Sequence, residues 1–341
     1  MSLAPALSLT LGSLRYDTHA SCASICLALL PRGSSAEVAL PSNVRFEAST
    51  GDKAVVSLDG GEGTQTVLTG KVHSVRREFE FIRVTVTDAG DLAGYRPSAT
   101  LEGQDAQAVV SKLAQDVSMK TGDVDIDLDL ALYVAHPGRT AAEHIAKLAE
   151  LAGGIAYSDG DGSLNAKQKP SGPADSALKY GREVMSYQTR SADALSPRRF
   201  AMGFGPAGSG GASDALRPSV DAIPGSAADG GAGVWRVPTP LLRVPSAATT
   251  ASGALQGMAT AQSERVTAHC FLLPALRPGN VIEVQELPQG LSTSSWLVTR
   301  VQHSFERGFG TTRFWGETAA AGSSLLGGLL GAAAGAAGGL L

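Results

Sequence analysis

Cysteine is scarce in this 341-residue chain: Cys22, Cys26 and Cys270 are an odd, scattered set that does not make a disulfide framework. Aromatic residues are also few, at 5%, beside 41 glycines and 17 prolines, a balance that favours many turns and a flexible segment over one dense core. Excess positive charge is missing too. With 28 Lys and Arg against 32 Asp and Glu, a formal net charge of -4 and no basic stripe, the chain is not built as a dedicated nucleic-acid binder. The opening MSLAPALSLTLGSL has apolar residues but no basic stretch ahead of them, so it does not read as a signal peptide, and assembly in the cytoplasm is expected. The length leaves room for two or three domains with cores of their own.

What is present is mostly β-patterned. From Leu7 to about Asp88, short apolar runs (Ser24 to Leu30, Val55 to Leu58, Val67 to Val75, Phe79 to Thr87) alternate with Pro-Arg-Gly, Thr-Gly-Asp and Gly-Gly-Glu-Gly turns. The period then changes. Ala106, Val109, Val110, Leu113, Ala114 and Val117 recur at helical spacing, and a second helix opens at Thr140-Ala141-Ala142-Glu143, a capping box, and stops at Gly153-Gly154. A hairpin turning at Ser158-Asp159-Gly160-Asp161-Gly162 follows. Ala177 to Met202 is again β-like, 203–233 is a Gly/Ala/Ser/Pro-rich loop, and Thr250 to Ser263 reads as a short helix leading into a strand from Arg265 to Leu273.

Several stretches invite a chemical reading, and each has a plainer one. Cys22 and Cys26 share a strand face near His19, but C-x3-C with one His lacks the paired ligand groups of a zinc site, so buried strand thiols are expected. Asp159-Gly160-Asp161-Gly162 lacks the distal Glu of a calcium loop and reads as a tight turn. The alternation Asp123-Val124-Asp125-Ile126-Asp127-Leu128-Asp129-Leu130 places four carboxylates on one face of a strand, and such a run usually marks a solvated face. Gly203-Phe204-Gly205-Pro206-Ala207-Gly208 matches G-x-G-x-x-G, yet Pro206 denies it the helix that would hold a pyrophosphate. Gly208-Ser209-Gly210-Gly211 has no His and Asp constellation to activate its serine. No catalytic, cofactor-binding or metal-binding residue is assigned.

The most informative feature is an internal repeat. Leu276 to Glu317 forms a turn, a strand with Val281 and Ile282 on opposite faces, a polar loop, a longer strand from Trp296 to Phe305 and a third from Thr311 to Gly316. In the middle strand Leu297, Val301, His303 and Phe305 are predicted on one face, with Arg300, Gln302 and Ser304 on the other. Gly51-Asp52-Lys53-Ala54-Val55-Val56 answers Gly279-Asn280-Val281-Ile282-Glu283-Val284. Thr69 to Val75 answers Val298 to Phe305, making Val72 the counterpart of Val301 and His73 that of His303, and Arg83 then answers Arg313.

A β-unit with Gly-Asp and L-x-G-x-V, two helices ending in Gly-Gly and a hairpin, and a second β-unit with L-x-P-G, W-x-V-x-x-V-x-H and T-x-F-x-G together resemble the baseplate hub proteins of contractile phage tails. The chain is similar to the late control protein D group and to the N-terminal part of the type VI secretion spike protein, over about Ala36 to Glu317. The resemblance implies a mainly β fold with an α+β insertion and two related β-barrel-like domains per chain. It implies three chains forming a trimer of pseudo-sixfold symmetry that joins a hexameric tail tube to a trimeric spike. The domains expected are 1–100, 101–176, 177–318 interrupted by the loop 203–233, and a tail, 319–341. No cofactor is implied. The partners would be further copies of the chain, the spike protein, the tube protein and other baseplate components, without specific nucleic-acid binding, and the chain would be a component of a phage tail or injection particle.

The tail carries no charge after Glu317. Leu325, Leu326, Leu329 and Leu330 stand beside Gly327, Gly331, Gly335 and Gly339, a small-residue stripe of the kind that lets helices approach closely. Docking on a protein partner at the hub axis, contact with a membrane and disorder are the three readings of this segment. Two further functions fit parts of the sequence: a tail-associated enzyme such as a cell-wall hydrolase, which would rest on His303, and an adhesin anchored in a membrane by residues 319–341.

Overall fold

The computed structural model describes residues 5–17, 20–88, 90–170, 172–191, 199–204, 234–239, 241–242, 245–288, 291, 295–306 and 308–319. The tail residues Leu325, Leu326, Gly327, Leu329, Leu330, Gly331, Gly335 and Gly339, the serine of Gly208-Ser209, most of the loop 203–233 and His19 lie outside them.

In chain order the first β-rich stretch contains β1 (Ala6–Leu11), β2 (Leu14–Arg15), β3 (Cys22–Ala28), β4 (Ser35–Pro41), β5 (Lys53–Asp59), β6 (Thr64–Arg77) and β7 (Phe81–Thr87). An α+β stretch follows: α1 (Gly90–Gly94), β8 (Ala99–Asp105), α2 (Ala106–Asp116), β9 (Thr121–Asp125), β10 (Asp129–Ala135), α3 (Ala141–Leu151), β11 (Gly154–Ser158) and β12 (Leu164–Gln168). The chain then forms β13 (Ser176–Lys179), β14 (Val184–Ser191), β15 (Arg199–Phe204), β16 (Val234–Thr239), α4 (Pro245–Ala261), β17 (Glu264–Phe271), β18 (Val281–Gln285), β19 (Ser295–Glu306) and β20 (Phe309–Thr318). The architecture is mainly β, as the sequence predicts, and none of the sheets among the described residues closes on itself.

Thirteen strands form one sheet in the order β14-β17-β20-β19-β3-β4-β7-β6-β5-β1-β2, with β18 attached to β19 and β13 to β18 off that path. The order contains the same motif twice. β3-β4-β7-β6-β5 and β14-β17-β20-β19-β18 are both five-stranded antiparallel arrays with the same connectivity. Their entry turns agree in detail. Gly51 and Gly279 take φ of +94° and +92°; Gly51 N–H donates to Val72 and Gly279 N–H to Val298, each at 2.8 Å, and Val72 and Val298 donate back to Asp52 and Asn280 at 2.8 Å. The repeat read in the sequence is therefore real.

Its register in the middle strand differs from the one expected. Val72 corresponds to Val298, not Val301, because both strands carry a bulge at the next residue, His73 in one and Thr299 in the other. Arg83 and Arg313 remain counterparts, facing Arg76 and Gln302. His73 and His303 are not equivalent: His303 answers Arg77. The bulge has a second effect, since one extra residue reverses the alternation of side chains beyond it. Leu297 accordingly faces away from Val301 and packs with Ile155, Val281 and Ala319, while Trp296, Val298, Val301 and Phe305 enter the main core.

That core is continuous across both arrays. Ile25, Val38, Leu58 and Val84 from the first share it with Val266, Ile282, Val301 and Phe314 from the second. The arrays are joined by β3, which lies along β19 with Ala28 opposite Arg300 and Cys22 opposite Glu306. They diverge at one position: Gly70, opposite Ala54, leaves no room above Thr87, whereas its counterpart Trp296, opposite Ile282, is fully buried and donates from Nε1 to the Tyr187 hydroxyl at 2.9 Å.

A second core lies in the α+β stretch. Val109, Val110, Leu113, Ile145 and Leu148 pack there on one side, and Ala248, Ala251 and Leu255 of α4 close the other. The α3 capping box forms as predicted, with Glu143 N–H donating to Thr140 Oγ1 and Thr140 N–H to the Glu143 carboxylate, and Gly153 at φ +77° follows the helix end. Helix α4 is longer than the sequence suggested, beginning at Pro245, a residue suited to a first turn. The aspartate run is not one strand: it pairs with β12 up to Asp125, leaves the sheet, and joins β8 from Asp129. Its carboxylates at 123, 125, 127 and 129 are exposed and Ile126 and Leu128 are buried, so the alternation survives the change of partner.

The two matched glycines allow a controlled comparison. A Cβ at Gly51 would meet nothing within 4 Å, whereas one at Gly279 would lie 2.9 Å from the Tyr157 ring. Gly51→Ala should cost about 1–2 kcal/mol, the penalty of a left-handed backbone alone. Gly279→Ala should cost at least about 1 kcal/mol more, because the ring must also move. Chemical denaturation of both variants checks this, and equal losses would contradict the packing described at Tyr157.

Candidate functional site

The two arrays and the α+β stretch meet around Arg277. This residue sits in the turn before Gly279, where its N–H donates to Asn280 Oδ1 at 2.9 Å. Its guanidinium reaches across to β6, donating to the carbonyls of Val67, at 3.1 Å, and Thr66, and lies 3.5 Å from Asp159. Burial holds the Arg277 pKa below its ordinary value, and the carboxylates of Asp159 and Asp161 oppose that shift. Gly160 completes the contact, since a Cβ there would collide with both the guanidinium and the Thr66 carbonyl. A Gly is required by close approach, not by backbone angle.

The hairpin turn beside Arg277 uses its carboxylates internally. Asp159 Oδ1 accepts from Gly160 N–H at 2.7 Å, and Asp161 Oδ1 accepts from the N–H and hydroxyl of Ser163. Asp161 also binds Lys120 at 2.7 Å, and these contacts hold its pKa well below the usual carboxylate range. That is a structural turn, as the sequence predicts.

His303 is fully buried. One ring nitrogen, Nδ1, lies 2.9 Å from Thr312 Oγ1, which in turn accepts the Leu273 N–H at 2.8 Å, and Nε2 has no partner among the described residues. Desolvation, reinforced by Arg277, lowers its pKa to about 3. A neutral imidazole closed off from solvent in this way has no access to a substrate. A second histidine cluster, which the sequence reading missed, lies under α3: His144 is buried, with Tyr133 Oη 2.6 Å from Nδ1 and the His136 carbonyl 3.0 Å from Nε2. The carbonyl accepts, so Nε2 carries the proton and the Tyr133 hydroxyl donates to Nδ1. Tyr133 is the fifth residue of β10 and His144 the fourth of α3, and nothing in their spacing links them.

Cys22 and Cys26 point to the same half-exposed face of β3 as Ser24, so they are not the buried thiols expected. Cys26 Sγ accepts from Arg300 Nε at 3.3 Å, and Arg300 also lies over the Trp315 ring. Cys270 is the buried one, its pKa pushed up to about 12 by desolvation. Among the described residues, no group of three or more His, Cys, Asp and Glu side chains is placed to hold a cation. No described helix is long and apolar enough to cross a membrane.

A cleft of about 640 Å³ opens between the second array and helices α3 and α4. Lys169 and Glu317 form an ion pair at 2.8 Å on its wall, among Gln188, Arg190 and Arg265. The arrangement offers mixed charge.

No family model matches the sequence, and a search of curated proteins finds no match. Solved structures do match. A tail protein from Neisseria meningitidis aligns with a TM-score of 0.68 at 17% identity, over 92% of this chain and 96% of the other. The 43 kDa tail protein of prophage MuSo2 from Shewanella oneidensis aligns at 0.66 and 15% identity, over 93% and 99%. The chain has a phage-tail-protein fold. The E. coli c3393 protein, described as a component of the type VI secretion system with structural similarity to the T4 bacteriophage tail proteins gp27 and gp5, aligns at 0.61 and 12% identity, over 91% and 76%. The tail-protein likeness read from short motifs thus extends, as a fold, over nearly the whole chain.

His303 gives the junction a measurable pH response. Unfolded, it takes a proton near its ordinary value of 6.5, and folded only near 3, so the unfolded chain binds more protons in between and stability falls as pH drops through that window. Between pH 7 and pH 5 this one group should remove about 2 kcal/mol. Denaturation at both pH values should show the wild type losing that much more than His303→Gln, and equal losses would refute the buried neutral imidazole.

Proposed function

We propose that this protein is a structural baseplate hub, joining a hexameric tail tube to a trimeric spike in a contractile phage tail or a related injection particle. The observation that carries the reading is the tandem five-stranded array, repeated down to its turn hydrogen bonds and joined edge to edge within one sheet. A chain that presents two near-equivalent units, in three copies, offers six to a tube while keeping threefold symmetry toward a spike. The fold likeness to tail proteins and to a type VI secretion component supports the same assignment.

In this reading the domains are 1–100, 101–176 and 177–318, with 319–341 as a tail that docks near the threefold axis. The two arrays close into a barrel-like ring only when three chains assemble. The protein acts through contact, with copies of itself, the spike, the tube and neighbouring baseplate components as partners. Loss of the tail, by deletion of residues 319–341, should weaken spike binding, and unchanged binding would remove that role from the segment.

Light scattering on the purified protein should give a mass three times 34.8 kDa. Imaging of the assembled particle should place three copies between tube and spike. A chain that stays monomeric at every concentration and is missing from the particle's baseplate would overturn the proposal.

A further inference from the structure

Because the two arrays are near-copies, each position in one is a control for the other, and they differ sharply around one arginine on the outer face of the sheet. In the first array Arg83 is neutralised within the sheet, where Glu37 and Glu78 each bind it at 3.1 Å. Around Arg313, its counterpart, hydroxyls replace both carboxylates. Thr267, which faces Trp315, stands where Glu37 faces Thr85. Ser304, which faces Thr311, stands where the Glu78 N–H donates to the Phe81 carbonyl. Arg313 is thus left without an ion pair among the described residues.

The other exchanges add positive charge and donors. Ala39, opposite Arg83, is replaced by His269, opposite Arg313. Ser74, opposite Thr85, is replaced by Arg300, opposite Trp315. Arg300 also has no ion pair among the described residues, and its Nε donates to Cys26 Sγ at 3.3 Å. The Arg300 and Arg313 guanidinium groups lie 4.6 and 5.5 Å from the centre of the Trp315 ring, which holds both long side chains against the sheet without neutralising them.

Arg313, His269, Gln302, Ser304 and Thr311 line a pocket of about 270 Å³. Each of them can donate a hydrogen bond, and none is a carboxylate. A planar carboxylate is matched by the guanidinium fork alone. A tetrahedral phosphate has three terminal oxygens and can use the fork and the hydroxyls together.

We propose that this pocket binds a phosphate group, with Arg313 as the anchor, Ser304, Thr311 and His269 as further donors, and Arg300 as a second positive charge beside it. Inorganic phosphate and a phosphomonoester share this chemistry. The site exists in the second array only, because Glu37 and Glu78 already occupy the matching arginine in the first. It goes beyond the hub reading and does not depend on it. In a ring of three chains the two units of each chain would differ here, giving a threefold set of sites on a nearly sixfold frame.

The test is calorimetric titration of the full chain with inorganic phosphate, methyl phosphate and acetate, at constant ionic strength set with chloride. Saturable binding of one phosphate group per chain is expected, with acetate at least about ten-fold weaker. The tighter of the two phosphates shows whether the ligand is free or esterified. Arg313→Gln should weaken binding at least about ten-fold. Thr267→Glu together with Ser304→Glu rebuilds the neutralised arrangement of the first array, so it should fold and lose binding to the same extent. This double variant decides the matter should Arg313→Gln fail to fold. No saturable binding, acetate binding as tightly as phosphate, or unchanged affinity in the folded variants overturns the site, and each of these outcomes leaves the hub reading standing.

Discussion

The fold depends on one backbone constraint, that a strand inside a sheet must satisfy the hydrogen-bonding groups on both of its edges. β19 is the longest strand of the second array and no single neighbour covers its outer edge. β18 takes the first residues, Ser295 to Leu297, and β3 takes the rest, Arg300 to Glu306. Because β3 comes from the other end of the chain, this shared edge fuses two sequence repeats into one sheet and gives them one core. Ile25 and Phe305 sit on the seam and are both buried, so the join is sealed by apolar packing as well as by the ladder.

A further contact between the parts is polar and needs tighter geometry. Arg277 places a charge at a half-enclosed junction and recovers its solvation from two backbone carbonyls and a carboxylate. Removing a partner there would leave a buried charge poorly compensated, which is why Gly160 must admit the guanidinium so closely. His303 is the converse case. It resolves the same problem by remaining neutral, and pH rather than mutation is the lever that disturbs it.

Much of this was legible in the sequence, for identifiable reasons. The Thr140–Glu143 capping box, the apolar stripe of α2 and the alternation in Ile82, Val84 and Val86 are local signals, and the structure honours each of them. The repeat was visible because turn glycines with positive φ are hard to replace, so Gly51 and Gly279 stayed as markers. The register of its middle strand was not, because a bulge adds a residue without any compositional mark, and His73 was matched to His303 when Thr299 was its true counterpart. The aspartate run misled in a similar way, since alternation reports a buried face and says nothing of which sheet buries it. Arg277 and Gly160 were passed over because their roles are made by contacts with Thr66, 211 residues from Arg277 in the chain.

A chain built from two near-copies faces a hazard that single-copy folds do not: every strand has a plausible wrong partner close by. Hairpin length works here as an address. The β19–β20 hairpin closes at Glu306 and Phe309, while β6–β7 closes its ladder at Arg77 and Ile82, three positions sooner in the shared register. β3 needs the longer platform to place all of Cys22 to Ala28, so the shorter one cannot satisfy it fully. A shorter hairpin thus makes the two near-copies unequal platforms for the same strand.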